Sequence, residues 1–154
     1  MTTAELMSEF ASRGLSYEEI GHRRTMTAGV EAVALGLSRD EVAKTIVLVT
    51  DRGNVRAVVP ASQRLDVHKL GAVVGGKVLR FATEAELAES YPMFELGAVP
   101  PFGGPGDDRV VVDLRLADSE SIVVEAGTHT ESVRLGSADL IRLVGAEAGD
   151  ICAD

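Results

Sequence analysis

The chain has 154 residues, 45% of them hydrophobic, enough apolar material for one globular core without disulfide or metal staples. Its net charge of -9 argues against a general nucleic-acid binder, which would carry a basic excess to displace counterions from phosphates. No run reaches the roughly 18 to 20 apolar residues of a membrane span, MTTAELMSEF lacks the basic start and apolar stretch of a signal peptide, and the lone Cys152 cannot form an internal disulfide, so a cytoplasmic protein without membrane or DNA partners is expected.

In chain order, Leu6, Met7 and Phe10 at helical spacing predict a helix over 3–13 that stops at Gly14. Thr27 can cap a helix through Val30, Val33, Ala34 and Leu35 that closes at Gly36, and Ser38 with Glu41 has the pattern of a further capped turn. KTIVLVT, residues 44–50, is continuously apolar and β-branched like a strand buried on both faces, and the Asp51–Asn54 turn leads into VRAVVP as a hairpin. A helix through Leu65, Val67, Leu70 and Val73 follows, then a strand from Val78 to Phe81 and a helix capped by Thr83 with Glu86 three residues on. The Gly- and Pro-dense stretch FELGAVPPFGGPGDD, residues 94–108, is a loop long enough to be functional. RVVVDLRL, SIVVEAG and TESVRLG read as three strands, Ser137 can cap a terminal helix over Leu140, Ile141 and Leu143, and the tail from Ala146 to Asp154 is expected to fray. The sum is a mixed α/β (α+β) fold, a single domain over residues 1–154 with one mixed, mainly antiparallel β-sheet flanked by helices.

Charge is uneven along this order. Residues 52–80 carry six basic side chains against one acidic, a local island that includes Arg64, Lys69, Lys77 and Arg80, while residues 81–154 carry four against fifteen. Such an island suits the end of an anionic ligand, with few phosphates engaged.

Several familiar chemistries are missing. GAVVGGK at 71–77 fits the first seven positions of a P-loop, but Val78 stands where a hydroxyl should reach magnesium, and the stretch closes a helix instead of opening one. His22, His68 and His129 lack metal-ligand spacing, Asp107 and Asp108 have no partner pattern, and no nucleophile elbow or thiol signature occurs, so neither metal nor cofactor is expected and a hydrolase here would use water. Two features invite a role: Lys44 at the head of a strongly apolar strand, and Gly97-Ala98-Val99-Pro100-Pro101-Phe102-Gly103. The loop's glycines let backbone approach a ligand, its prolines stiffen it, and its amides could hold an oxyanion or ester carbonyl.

Taken together, His22 with Thr25-Met26-Thr27, AKTIVLV at 43–49, GAVPPFG at 97–103, VVVD at 110–113, AGTH at 126–129 and ADL at 138–140 resemble, in order and spacing, the YbaK and prolyl-tRNA-synthetase-associated editing family over residues 17–144. The resemblance implies a trans-editing aminoacyl-tRNA deacylase that hydrolyses the ester of a mischarged tRNA. Its partner would be the tRNA acceptor end, with a synthetase as a further candidate. It gives Lys44 and Gly97 the catalytic places and puts His22, Thr45, Ala98, Val99, Pro100, Pro101, Phe102, Gly103 and His129 around the substrate. Pro100 and the pair Glu95-Leu96 depart from the family pattern and leave the amino acid removed undetermined. On this reading Gly97→Ala would slow hydrolysis by filling ligand space while stability is retained. The alternative is a non-catalytic module that binds an amino acid, an aminoacyl group or a protein in the same pocket.

Overall fold

The computed structural model describes residues 3–21, 35–104 and 108–154. Most of the predicted Thr27–Gly36 helix, and His22, lie outside these residues. Helix α1 (Thr3–Ser12) buries Met7 and Phe10, and a strand that the sequence did not announce follows, β1 (Tyr17–Gly21). Its pattern is half-exposed and its two glutamates face out, so it has little of the apolar signature of a strand.

The hairpin forms as expected from β2 (Ala43–Thr50) and β3 (Gly53–Pro60), in register from Ala43 opposite Pro60 to Thr50 opposite Gly53. Helix α2 (Val67–Val74) is capped by Asp66, whose carboxylate accepts from the amides of His68 and Lys69, and ends at Gly75. The near-P-loop therefore does close a helix and open a strand, β4 (Val78–Phe81). Helix α3 (Glu84–Ser90) carries the full capping box between Thr83 and Glu86.

Two sheets form where the sequence predicted one. An antiparallel sheet has the order β1-β7-β6, with β6 spanning Ser121–Thr128 and β7 Glu131–Gly136, and a five-stranded mixed sheet has the order β4-β2-β3-β5-β8, with β5 spanning Arg109–Asp113 and β8 Glu147–Gly149. A parallel bridge between Val42 and Val123 joins them. One core fills the space among Phe10, Val47, Val58, Phe94, Val99, Phe102 and Val124, and a second, among Leu48, Val59, Leu70, Val111 and Ile151, covers the other face of β2 and β3. Burial on both faces is why those strands read as unbroken apolar runs.

Three further expectations are corrected. Leu114–Ala117 is a short helix, α4, because Asp113 caps it by accepting from the Arg115 amide, so RVVVDLRL is strand only as far as Asp113. The terminal helix α5 (Ser137–Val144) has Gly136 at its cap position and Ser137 buried inside it, with no side-chain cap bond. The tail does not fray: β8 pairs in parallel with β5, Ile151 and Cys152 are fully buried, and the Ile151 amide donates to the Asp113 carboxylate at 3.0 Å. Two apolar residues in a short polar tail give no periodicity, so burial by a long-range partner could not be read locally. No helix among the described residues is long and apolar enough to cross a membrane.

Candidate functional site

The Gly97 loop begins where the Glu95 amide donates to the Gly127 carbonyl on β6, at 2.8 Å. The Ala98 amide then returns to the Glu95 carbonyl at 3.0 Å, closing a tight turn with Gly97 at its third position and φ of +81°. A type II turn requires positive φ there, which is the local reason for glycine. Leu96 and Gly97 are exposed, Ala98 through Phe102 are buried, and Gly103 is half-buried. The side chains of Val99 and Phe102 belong to the first core, where Phe102 meets Phe10 edge to face at 4.9 Å. What the loop offers outward is thus Leu96, side chain included, and the backbone at Gly97.

His129, 1% exposed, holds that backbone in place. Its Nε2 lies 2.6 Å from the Leu96 carbonyl, its amide donates to the Glu95 carboxylate at 3.2 Å, and its Nδ1 lies 3.4 Å from Glu125 Oε2. A nitrogen bonded to a carbonyl must be the donor, so Nε2 carries a proton and does not serve as an acceptor for a water proton. In a trans peptide the C=O and N–H point in opposite directions, so the Leu96 carbonyl turned toward His129 sends the Gly97 N–H away from it, at a residue that is exposed as a whole. A Cβ on Gly97 would stand 3.4 Å from His129 Cε1.

The loop's other end rests on Arg56, which in the sequence is one basic charge among the six of the island. Its side chain is 2% exposed and spends all five N–H donors: Nη1 on the carbonyls of Pro100 (2.7 Å) and Phe102 (3.1 Å), Nη2 on that of Gly103 (2.6 Å) and on Asp108 (3.0 Å), and Nε on Asp108 (2.7 Å). Tyr91 donates its hydroxyl to the same carboxylate and places its ring 5.1 Å beneath the guanidinium. Burial alone would raise the Asp108 carboxyl, but the hydrogen bonds from Arg56 and Tyr91 together outweigh it and hold it below the ordinary value. A signal was available: Arg56 shares a strand face with buried Val58, and an arginine at such a position needs an acidic partner elsewhere. A cavity of about 330 Å³ adjoins this side of the loop, lined by Phe10, Arg56, Phe102, Asp108 and Val144 among others; neither Lys44 nor Gly97 lines it.

Lys44 is half-buried on β2, opposite Val59, and among the described residues its ammonium makes no hydrogen bond or ion pair. Burial, and then the charges of Arg39 and Arg64, lower its pKa from the ordinary lysine value. Lys44 lies two residues past Val42 in the bridge to Val123, and Glu125, which faces His129, lies two residues past Val123. The backbone thus brings Lys44 and the His129 anchor to the seam between the sheets. Thr45 follows, half-buried opposite Val58.

The basic island is largely occupied internally. Lys69 donates to Asp150 (3.2 Å), Asp154 (2.9 Å) and the Cys152 carbonyl (2.9 Å), and Arg80 pairs with Glu86. Arg64 and Lys77 remain exposed. Burial pushes the Cys152 thiol up to about 12, which leaves it without thiolate character at neutral pH.

The aminoacyl-tRNA editing domain family matches residues 22–143. A proline–tRNA ligase of Stenotrophomonas maltophilia is 34% identical over 116 residues, covering 68% of this chain and 20% of the ligase, so the chain spans about a fifth of that protein's length. A proposed Cys-tRNA(Pro)/Cys-tRNA(Cys) deacylase of Enterococcus faecalis is 25% identical over 136 residues, 88% of this chain and 82% of that protein. A crystal structure of a proposed trans-editing enzyme for prolyl-tRNA synthetase superposes with a TM-score of 0.84 at 28% identity, covering 99% of this chain and 97% of the other. A hypothetical protein shares the fold at a TM-score of 0.88 and 24% identity, over 97% and 99% of the two chains.

Proposed function

As the chain belongs to the aminoacyl-tRNA editing domain family, we propose that it is a trans-editing deacylase that hydrolyses the ester between a wrongly attached amino acid and the terminal adenosine of tRNA. The observation that supports this reading is the exposed Gly97 in a turn whose Leu96 carbonyl is held by His129, so that the Gly97 N–H points away from that anchor. Water attacks the ester carbonyl carbon, the carbonyl oxygen gains negative charge within reach of the Gly97 N–H, and the carbon–oxygen bond to the ribose breaks as the ribose oxygen takes the proton that the attacking water gives up. Lys44 supplies fixed positive charge to the anionic acceptor end, reinforced by Arg39 and Arg64. His129 positions the loop through its Nε2–H and does not act as base. One preorganised donor of this kind is worth about 2.7 to 4 kcal/mol, so an activated ester needs no protein nucleophile.

His22, Thr45, the side of the loop from Ala98 to Gly103, a synthetase partner and the cytoplasmic location complete the reading as expectations carried by the family resemblance. The test is amino-acid release from a panel of mischarged tRNAs, starting with Ala, Cys, Ser and Pro esters because hydrophobic pockets discriminate by only about 1 to 3 kcal/mol per methylene. The expected result is turnover on at least one ester, lost in Lys44→Ala. An intact fold with no release across the panel would favour a non-catalytic aminoacyl-binding module instead.

A further inference from the structure

The exposed turn is suspended between two buried anchors. On one side His129 takes the Leu96 carbonyl at 2.6 Å; on the other Arg56 takes the Pro100 carbonyl at 2.7 Å, with those of Phe102 and Gly103 behind it. Only Gly97, Ala98 and Val99 lie between, and the Ala98 amide is tied to Glu95. Pro100 and Pro101 have their φ fixed by their rings, so a displacement of the anchored Pro100 carbonyl passes to the turn with little to absorb it. Arg56 is itself locked, since Asp108 takes two of its donors and Tyr91 donates to the same Asp108 Oδ2 that accepts from Arg56 Nε.

We infer that Arg56, held by Asp108 and Tyr91, is a positioning residue for the reaction: by gripping three loop carbonyls from behind it sets where the Gly97 amide meets the ester. The inference rests on the deacylase reading for its catalytic half and on this geometry alone for its structural half. All five Arg56 donors are spent on protein groups, so its action passes through the loop backbone. A guanidinium is required because five donors in one plane are all used, and an ammonium with three rotating donors cannot reproduce the fork.

The experiment pairs Arg56→Lys with Tyr91→Phe, measuring deacylation kinetics on the panel's best ester and hydrogen exchange at the Ala98 amide, with the Val111 amide as core reference. In Arg56→Lys, assayed where it is folded, kcat falls at least about tenfold with KM within about twofold, since alignment is impaired while the substrate keeps its own partners. Ala98 exchanges about tenfold faster while Val111 keeps its rate. Tyr91→Phe, which spares Arg56, shifts kcat and Ala98 exchange in the same direction by about threefold and decides the matter if Arg56→Lys does not fold. Unchanged Ala98 exchange overturns the inference. So does faster exchange with an unaltered kcat, or a fall in kcat/KM that comes wholly from KM. If the wild-type protein releases no amino acid, the deacylase reading fails, and the exchange measurement alone still determines whether Arg56 fixes the turn.

Discussion

Two cations on neighbouring strands have opposite fates. Arg56 on β3 is wrapped, with every donor bonded and a carboxylate locked against it; Lys44 on β2 is half-buried, has no partner among the described residues, and is crowded by Arg39 and Arg64. A charge partly removed from water without a bonded partner costs free energy, and this is the physical ground on which the proposed function gives Lys44 to the arriving acceptor end. The paired one is structural in its contacts and serves function only through the loop it holds.

Removing each cation should separate the two roles, and Arg56→Met has the largest expected effect. It strands the Asp108 carboxylate and three carbonyls at once, and breaking a buried pair from one side costs about 3 to 5 kcal/mol, which a denaturant midpoint would register. Adding Asp108→Leu should recover only part of this, because the loop carbonyls stay unsatisfied; complete recovery would mean that the bonds to those carbonyls contribute nothing. Acid gives the same test without a cavity. Since the Asp108 carboxyl is held below its ordinary value of about 3.9, its stabilising contribution is whole above that pH and disappears as pH falls through the lower folded value. Asp108→Asn should flatten that acid limb of the stability curve.

Lys44→Ala is the complementary case. Deacylation should drop at least about a hundredfold, some 2.7 kcal/mol of transition-state stabilisation, with the thermal midpoint at or slightly above wild type because a desolvated, unpaired ammonium is gone. Lys44→Arg should rescue poorly, the guanidinium being wider and differently hydrated. A marked loss of stability in Lys44→Ala would make the two cations alike and dissolve the comparison.

Much of this arrangement was legible in the sequence. The hairpin, the Thr83 capping box and the Gly97 loop follow from residue types acting within a few positions of one another, whereas the catalytic places of Lys44 and Gly97 came from the family resemblance and stand as a proposal. What was missed depends on partners far along the chain: Arg56 with Asp108 across 52 residues, Ile151 with Asp113 across 38, and the pairing of β1 with β7. Asp108 carried no sequence signal because its partner sits in an apolar strand, and Arg56 entered only as one of the six charges of the basic island, its alternation with buried Val58 going unused. His129 stood out only through the family resemblance, and its hold on Leu96 depends on the loop folding back over β6.

For Gly97→Ala the structure corrects the expectation drawn from the sequence. Because φ is +81°, stability should fall by about 1 kcal/mol or more, where the sequence alone suggested that it would hold; the added methyl itself reaches His129 Cε1 only at contact distance, 3.4 Å. The rate should still fall at least about tenfold, since relief of the strained positive φ turns the 96–97 peptide that aims the amide. A folded, fully active Gly97→Ala protein would take the loop out of the mechanism.

The smallest expected effect concerns which cations meet tRNA. Lys69 and Arg80 belong to the basic island but are already matched by Asp150, Asp154 and Glu86, so a ligand phosphate would have to displace carboxylates to reach them. Replacing both by methionine should change tRNA affinity by less than about twofold and leave its salt dependence alone, at a stability cost below about 1 kcal/mol per exposed pair. Arg39 and Arg64 flank Lys44, and among the described residues neither is bound to a carboxylate; Arg39 donates only to the Ala61 carbonyl at 3.2 Å. Changing these two to glutamine should reduce the slope of log affinity against log salt by about 0.7 to 0.9 for each phosphate that is no longer neutralised. If the methionine pair lowered the slope and the glutamine pair did not, the acceptor end would lie along the island and away from Lys44, and the unpaired lysine would need another explanation.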